Sequence, residues 1–215
     1  MIKGAIFDLD GTIIDSMGLW MEEGNKLLKE YNVPDYEEIC RTWVPKSMYE
    51  TCVYVSEKFG LNKDELVRIW ESKMEYHYLN TVTLKGNILN TFNYLKSKDV
   101  ILMVATATKR ELTDKVLERL GIKDYFTHIY TTQMVNKSKD YPDVYLACSK
   151  SANLGVNECF VFEDAYHGIR TAKNAGFNVI GVYEPTMNPY VDIVKKYSDY
   201  VIKDYDEVKE LPIFN

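Results

Sequence analysis

Short runs of apolar residues recur along the chain, and each has the length and composition of a buried β-strand. The runs are continuous rather than alternating with polar residues, which is typical of parallel sheets covered on both faces. They comprise Gly4 to Phe7, Val100 to Ala105, His128 to Thr131, Cys159 to Phe162, Val179 to Val182 and Tyr200 to Ile202. The pattern therefore predicts a mostly parallel sheet.

Helical patterns with recognisable ends lie between several of these strands. Lys109 to Leu120 is followed by Gly121, and Ala165 to Ala175 by Gly176, as expected for glycine just beyond a helix. Pro142 suits the first turn of a further helix. The alternation of strands and helices predicts a doubly wound, Rossmann-like α/β domain.

One long segment departs from this alternation. Between residues 16 and 82 the apolar positions recur at helical spacing, and no run has the composition of a strand. Asn62 followed by Glu65 resembles a capping box at a helix start. We therefore predict a Rossmann-like core of residues 1–15 and 83–215, with a small α-helical cap domain of residues 16–82 inserted into it.

Composition and charge restrict the expected partners. The 215 residues are 46% hydrophobic, and a net charge of -6 with scattered lysines argues against nucleic-acid binding. No apolar run could span a bilayer, and the N-terminal run ends at Asp8, so neither membrane insertion nor a signal peptide is expected. The 4 cysteines form no CxxC pair, which favours reduced thiols. The expected location is the cytoplasm.

Two carboxylates follow the first predicted strand directly. Asp8 and Asp10 stand two positions apart and precede Gly11. In open α/β sheets, ligands bind beyond the carboxyl ends of the strands, where both acids would emerge. Because close carboxylates repel each other, a hard divalent cation such as Mg²⁺ would suit them, and one acid could then act as nucleophile and the other as proton shuttle. Considered alone, the pentapeptide Asp8 to Thr12 would suit a turn with solvated acids.

Further polar residues come near the ends of later predicted strands. Thr106 follows the second strand, and its hydroxyl could donate to a phosphate oxygen. Lys139 precedes the helix near Pro142 and could bring a positive charge to the same edge. Glu163 and Asp164 follow the fourth strand and would complete a metal site. Singly, these residues also suit structural roles such as a solvated lysine or a helix cap.

From Asp8 to Asp164, these residues resemble, in order, the four motifs of the haloacid dehalogenase superfamily. The similar subgroup has a helical cap and contains β-phosphoglucomutase and many sugar-phosphate phosphatases. The resemblance implies that Asp8 is the nucleophile and Asp10 the general acid and base. It also implies that Thr106 binds phosphate and that Lys139 steadies both the nucleophile and the phosphate.

The resemblance further implies a Mg²⁺ cofactor. Asp164 would hold it with Asp8 and the backbone carbonyl of Asp10, while Glu163 would support the site. The family usually has proline directly after its lysine, and this chain has Asp140 at that position. That departure affects the expected geometry of the loop that carries Lys139, and the assignment of Lys139 is kept.

The implied function is that of a magnesium-dependent phosphatase, a phosphoric monoester hydrolase that acts on a small phosphorylated metabolite such as a sugar phosphate. The superfamily's dehalogenases lack an aspartate at the position of Asp10, so its presence favours phosphoryl transfer. Three alternatives remain: a β-phosphoglucomutase-type mutase, a phosphonate hydrolase and a catalytically silent phosphometabolite-binding protein. Trp20 stands where β-phosphoglucomutases have a histidine, which favours hydrolysis over the mutase.

Two residues of the predicted cap are candidate substrate contacts. Trp20 and Lys46 fall roughly where the family's caps meet substrate, although each also suits an ordinary packed or exposed role. Lys46 is in addition the nearest counterpart of the Schiff-base lysine of phosphonate hydrolases, without the buried apolar setting that such a lysine needs. A nucleotide-binding kinase or ATPase is disfavoured because no GxxxxGK[ST] or GxGxxG motif occurs.

Overall fold

The computed structural model describes residues 1–43 and 47–213. Among the helices of these ranges, none is both long and apolar enough to cross a membrane. The β-strands of the described chain are β1 (Gly4–Phe7), β2 (Ile101–Thr106), β3 (Phe126–Thr131), β4 (Cys159–Glu163), β5 (Asn178–Val182) and β6 (Tyr200–Ile202).

The chain divides into two compact units. Met1–Asp15 and Thr83–Asn215 form the core unit, and Ser16–Val82 forms the helical unit. The helices described in the helical unit are α1 (Met17–Glu30), α2 (Tyr36–Trp43), α3 (Met48–Phe59) and α4 (Lys63–Asn80). Those described in the core unit are α5 (Ile88–Ser97), α6 (Arg110–Arg119), α7 (Thr132–Val135), α8 (Asp143–Ser151), α9 (Tyr166–Asn174) and α10 (Val191–Tyr197).

Within the helical unit, α1 and α4 pack closely around a buried tryptophan. A Cβ atom built on Gly24 would lie 2.2 Å from Trp70 Cζ2, so only glycine leaves room for the indole ring. The side chain of Asn62 accepts a hydrogen bond from Glu65 N at 3.2 Å. The predicted helix start at Asn62 is therefore confirmed, because its side chain satisfies an otherwise unpaired amide of the first turn.

The core unit contains a parallel sheet with the strand order β3-β2-β1-β4-β5-β6. β1 occupies the centre, where Phe7 pairs in register with Val104 of β2 and Phe162 of β4. The order reverses direction at β1, as in doubly wound nucleotide-binding folds. The predicted doubly wound α/β class is confirmed.

Aromatic packing explains why β1 is fully buried. The ring of Phe7 stacks on Phe162 with 4.3 Å between centroids and meets the edge of Phe92 of α5 at 5.2 Å. Phe92 also contacts Phe126 at 5.2 Å. This last contact places Phe126 within β3, which begins two residues before the predicted strand at His128. The apolar layers on the sheet fix the end of β1, and with it the residue that follows.

Candidate active site

The carboxyl ends of three adjacent strands carry the polar residues that the sequence singled out. Asp8 follows β1, Thr106 ends β2 and Glu163 ends β4. Because the strands are parallel neighbours, these ends lie at one edge of the sheet. The backbone amide of Asp8 still donates to Phe162 O at 2.9 Å, so the ladder continues beyond β1 and places Asp8 beside Glu163. This edge is the topological switch point, where α/β sheets bind ligands.

A tight loop follows Asp8 and returns the chain across the sheet edge. Gly11 has a φ of 74°, in the left-handed region that suits glycine. The amides of Ile13 and Ile14 both donate to Leu9 O at 2.9 Å, and the side chains of these three residues are fully buried. These buried apolar side chains anchor the loop that carries Asp10.

Lys139 lies at the centre of a buried ionic cluster. Its Nζ donates to Asp8 Oδ1 in a short hydrogen bond and to Glu163 Oε2 at 2.7 Å. The lysine side chain is only 6% exposed, and the Glu163 side chain is fully buried. The ammonium group therefore joins the residue after β1 to the last residue of β4.

Glu163 is itself held in place by neighbouring donors. The hydroxyl of Tyr145 donates to Oε2 at 2.9 Å, and the amide of Ala165 donates to Oε1 at 3.2 Å. A Cβ on Gly168 would come within 2.7 Å of the Tyr145 hydroxyl, so glycine at this position makes room for the contact. Both carboxylate oxygens of Glu163 are thus fixed, and the residue orients Lys139.

The pKa values of the side chains in this cluster are shifted from their usual values. Burial and the Glu163 carboxylate raise the pKa of Asp8 to about 8, although Lys139 opposes the shift. Burial and Glu163 also raise the pKa of Asp164 well above its usual range. Burial opposes protonation of Lys139, yet Asp8 and Glu163 raise its pKa, which keeps the ammonium charged. Three carboxylates with one ammonium leave two negative charges uncompensated when all are ionised.

The donor set suits a divalent cation. Carboxylate oxygens of Asp8, Glu163 and Asp164 lie within 4.8 Å of one another, and all three residues are buried. The Thr12 hydroxyl donates to Asp164 Oδ1 at 3.2 Å and orients that carboxylate. Hard oxygen ligands and an excess of two negative charges fit Mg²⁺. Since Glu163 is occupied by Lys139 and Tyr145, Asp8 and Asp164 are the better placed carboxylate ligands, with Glu163 in a supporting position.

A second hydrogen-bonded group connects Asp10 to Thr106 through the turn after β2. The hydroxyl of Thr108 donates to Asp10 Oδ2 at 2.7 Å. The amide of Thr108 donates to Thr106 Oγ1 at 3.0 Å. The loop after β1 and the end of β2 are therefore joined by side-chain contacts.

The structure brings together the core residues that the sequence selected. Asp8, Lys139, Glu163 and Asp164 form one buried cluster, while Asp10 and Thr106 are joined through Thr108. Sequence reasoning missed three residues that position this group, namely Thr12, Thr108 and Tyr145. Thr12 and Thr108 stand two residues beyond Asp10 and Thr106, and that proximity was the available signal.

Of the two candidates from the predicted cap, Trp20 and Lys46, the structure describes only Trp20. Trp20 is half-buried in α1 of the helical unit, where its backbone amide donates to Ser16 O at 3.0 Å. Lys46 lies outside the described residues. A role of either residue in substrate binding stays a prediction.

Replacing Lys139 by methionine should destabilise the fold in metal-free buffer. Removing one partner of a buried ion pair leaves uncompensated charge and costs about 3–5 kcal/mol, so urea unfolding should show a loss of that size. Lys173→Met is the matched control, because Lys173 forms a partly exposed pair with Asp199 and such pairs contribute about 0–1 kcal/mol. Equal losses in the two variants would contradict the structural importance of the Lys139 cluster.

Comparison with known proteins places this site in a family. The profile described as "Haloacid dehalogenase-like hydrolase" matches residues 5–182. A validoxylamine A 7'-phosphate phosphatase from Streptomyces hygroscopicus subsp. limoneus is 26% identical over 210 residues, covering 97% of each chain. A phosphorylated carbohydrates phosphatase from Thermotoga maritima is 28% identical over 185 residues, covering 83% of this chain and 84% of the relative.

A solved structure has the same fold over nearly the whole chain. It is a conserved haloacid dehalogenase-like protein from Agrobacterium tumefaciens, with a TM-score of 0.84 and 21% sequence identity. The match covers 98% of this chain and 97% of the other. The family predicted from the motif residues is confirmed by the profile match over most of the chain. This protein belongs to the haloacid dehalogenase-like hydrolase family.

Proposed function

We propose that the protein is a magnesium-dependent phosphatase of small phosphorylated sugars or similar phosphomonoesters, and that it acts through a phosphoaspartate on Asp8. Family membership and the phosphatase names of its relatives support the predicted enzyme class, a phosphoric monoester hydrolase. The observation that carries the mechanism is the buried contact of Asp8 with Lys139, beside Glu163 and Asp164.

In the first half-reaction, a carboxylate oxygen of Asp8 attacks the phosphorus of the substrate. The bond from phosphorus to the leaving oxygen breaks as the aspartyl phosphate bond forms, and Asp10 donates a proton to the departing alkoxide. Lys139 offsets the negative charge that develops on the phosphoryl oxygens. The Thr106 hydroxyl is the proposed donor to one of these oxygens.

In the second half-reaction, water attacks the phosphorus of the aspartyl phosphate. Asp10, now deprotonated, accepts the proton of the attacking water, which reverses its earlier role. The bond between phosphorus and Asp8 breaks, inorganic phosphate leaves and the Asp8 carboxylate is restored. Because Asp10 changes from acid to base within one cycle, its carboxyl must stay aligned in both protonation states.

The proposed metal ligands are Asp8, Asp164 and the backbone carbonyl of Asp10. When bound, Mg²⁺ supplies positive charge that stabilises the transferring phosphoryl group. Thr12 keeps Asp164 oriented through its 3.2 Å hydrogen bond. Glu163 holds Lys139 in place and thereby supports the nucleophile.

Specificity is proposed to reside in the helical unit, Ser16–Val82, acting as a cap. The residues of the core site recognise a phosphoryl group, which many metabolites share. Selection among leaving groups therefore requires residues outside that site, and Trp20 and Lys46 remain the candidates. The relatives named for phosphorylated carbohydrates and for validoxylamine A 7'-phosphate support a sugar-like leaving group.

The proposal is tested by release of inorganic phosphate in the presence of Mg²⁺. We expect turnover of p-nitrophenyl phosphate and higher kcat/KM for at least one member of a panel of phosphorylated sugars. Short-chain phosphorylated acids and nucleotides provide the comparison classes. Binding of phosphorylated sugars without any phosphate release would instead identify a silent binding protein.

Removal of the metal should abolish most of this activity. Metal assistance to phosphoryl transfer contributes several kcal/mol, so chelation by EDTA should lower kcat/KM by about a hundredfold or more. Excess Mg²⁺ should restore the rate, and circular dichroism before and after chelation provides the control for unfolding. Full activity after exhaustive chelation would exclude the metal from the mechanism.

A further inference from the structure

We propose that Thr108 is a positioning residue for Asp10, fixing the carboxyl group that transfers the proton. This inference rests on the proposed function, because it assigns the orientation of the acid and base in that reaction. Its basis is the hydrogen bond of 2.7 Å from Thr108 Oγ1 to Asp10 Oδ2, which joins residues 98 positions apart. The contact lies at the carboxyl edge of the sheet, beside the buried cluster of Asp8.

Several hydrogen bonds hold the turn that carries Thr108. Its amide donates to Thr106 Oγ1 at 3.0 Å, and its carbonyl accepts from the Thr113 hydroxyl at 3.3 Å. Thr113 is fully buried in α6, and its hydroxyl also lies 3.1 Å from Lys109 O. Thr108 is β-branched, which restricts its χ1 angle and keeps the hydroxyl directed at Asp10. The backbone of the turn and the side-chain rotamer are thus both fixed.

The hydrogen bond also distinguishes the two oxygens of Asp10. Because Oδ2 accepts from Thr108, a proton on the Asp10 carboxyl is favoured on Oδ1, and Oδ1 is then the atom that exchanges protons with the leaving oxygen and the attacking water. The Thr108 hydroxyl therefore restrains the rotation of the Asp10 carboxyl group about its Cβ–Cγ bond. A proton donor gains most of its effect from being held within hydrogen-bond reach in the correct orientation.

The same turn connects the proposed phosphate-binding residue with the proposed proton-transferring residue. Thr106, the proposed phosphate-binding hydroxyl, accepts the amide of Thr108, while the side chain of Thr108 holds Asp10. The phosphate-binding residue and the proton-transferring residue are consequently fixed relative to each other by one residue. Thr108 thereby sets the position of the Asp10 carboxyl, the proton donor, relative to the phosphoryl group that Thr106 is proposed to bind.

The test uses the dependence of proton transfer on the leaving group. An alkoxide must be protonated as it departs, whereas p-nitrophenolate is stable as an anion and leaves without a proton. For a reaction through a phosphoenzyme, kcat/KM reports only the steps up to the departure of the first product. Thr108→Val removes the hydroxyl but keeps the shape of the side chain, so it changes hydrogen bonding while preserving packing.

We expect Thr108→Val to lower kcat/KM for the best alkyl phosphate of the substrate panel by about tenfold to a hundredfold. This loss is smaller than the whole contribution of general-acid catalysis, because the Asp10 carboxyl is still present. The value for p-nitrophenyl phosphate should change by less than about threefold, because that leaving group needs little acid assistance. Thr108→Ser, which keeps the hydroxyl, should restore most of the alkyl phosphate activity. Thr127→Val, at an exposed position of β3, is the matched control and should change neither value.

The possible outcomes separate this inference from the proposed function. Equal losses on alkyl and aryl phosphates, with no rescue by Thr108→Ser, would show that Thr108 has a structural or substrate-binding role and would overturn the inference. Unchanged activity of Thr108→Val on both substrates would overturn it as well. If the unaltered protein hydrolyses neither substrate, the proposed function fails, and that result is seen before any Thr108 variant is compared.

Discussion

An Asp8→Asn variant is expected to release no phosphate above the uncatalysed background. The amide of asparagine is a poor nucleophile, so the aspartyl phosphate cannot form, and the loss should be at least about 10⁴-fold in kcat. The substitution preserves the size of a buried side chain and removes one of the like charges beside Glu163. We therefore expect the variant to stay folded, and the loss to be catalytic.

Two measurements complete the Asp8 experiment. Acid quenching of the unaltered enzyme during turnover, followed by mass spectrometry of its peptides, should detect a phosphoryl group on the peptide that contains Asp8. Asp199→Asn is the matched control, since Asp199 forms a partly exposed ion pair with Lys173 in the same unit. Substantial turnover by Asp8→Asn, or a phosphoryl group on a different residue, would refute the assignment of the nucleophile.

An Asp10→Asn variant is expected to lower kcat/KM for an alkyl phosphate by about 10²–10⁴-fold, the usual contribution of general acid and base catalysis. Asparagine cannot donate a carboxyl proton, although it can still accept the hydrogen bond from Thr108 through its amide oxygen. The loss should be smaller for p-nitrophenyl phosphate, whose leaving group departs as an anion.

Metal binding provides the control for the Asp10 variant. The proposed ligand at this position is the backbone carbonyl, so the affinity for Mg²⁺, measured by calorimetry, should change little. Equal activity of the variant and the unaltered enzyme would refute the acid and base assignment. A loss of activity accompanied by loss of metal binding would show that the Asp10 side chain acts through the cation instead.

The sheet and the residues at its edge could be predicted because both depend on local pattern. The continuous apolar run Gly4 to Phe7 is a buried strand, and it ends where Asp8 begins. The strands that end at Thr106 and Glu163 are predicted from similar continuous apolar runs. Parallel topology then brings the carboxyl ends of the three strands together. Strand ends moved by one or two residues, chiefly where tertiary contacts such as that of Phe126 extend a strand.

The positioning residues were harder to predict because their roles arise from contacts between distant parts of the chain. Tyr145 follows Lys139 at a spacing that suits simple core packing, and only the structure shows its hydroxyl on Glu163. Thr108 lies in a turn, where threonine commonly bonds to its own backbone. Its position two residues after Thr106 indicates only that it lies near the site, whereas its bond to Asp10 joins residues 98 positions apart.

The central position of β1 has a consequence for how the protein is made. Asp8, the proposed nucleophile, follows β1 directly, and β1 pairs with β2 near residue 101 and with β4 near residue 159. Sheets that depend on such distant pairings form slowly and late. Nascent chains that stop short of Glu163 therefore cannot assemble the ionic cluster in which Lys139 joins Asp8 to Glu163.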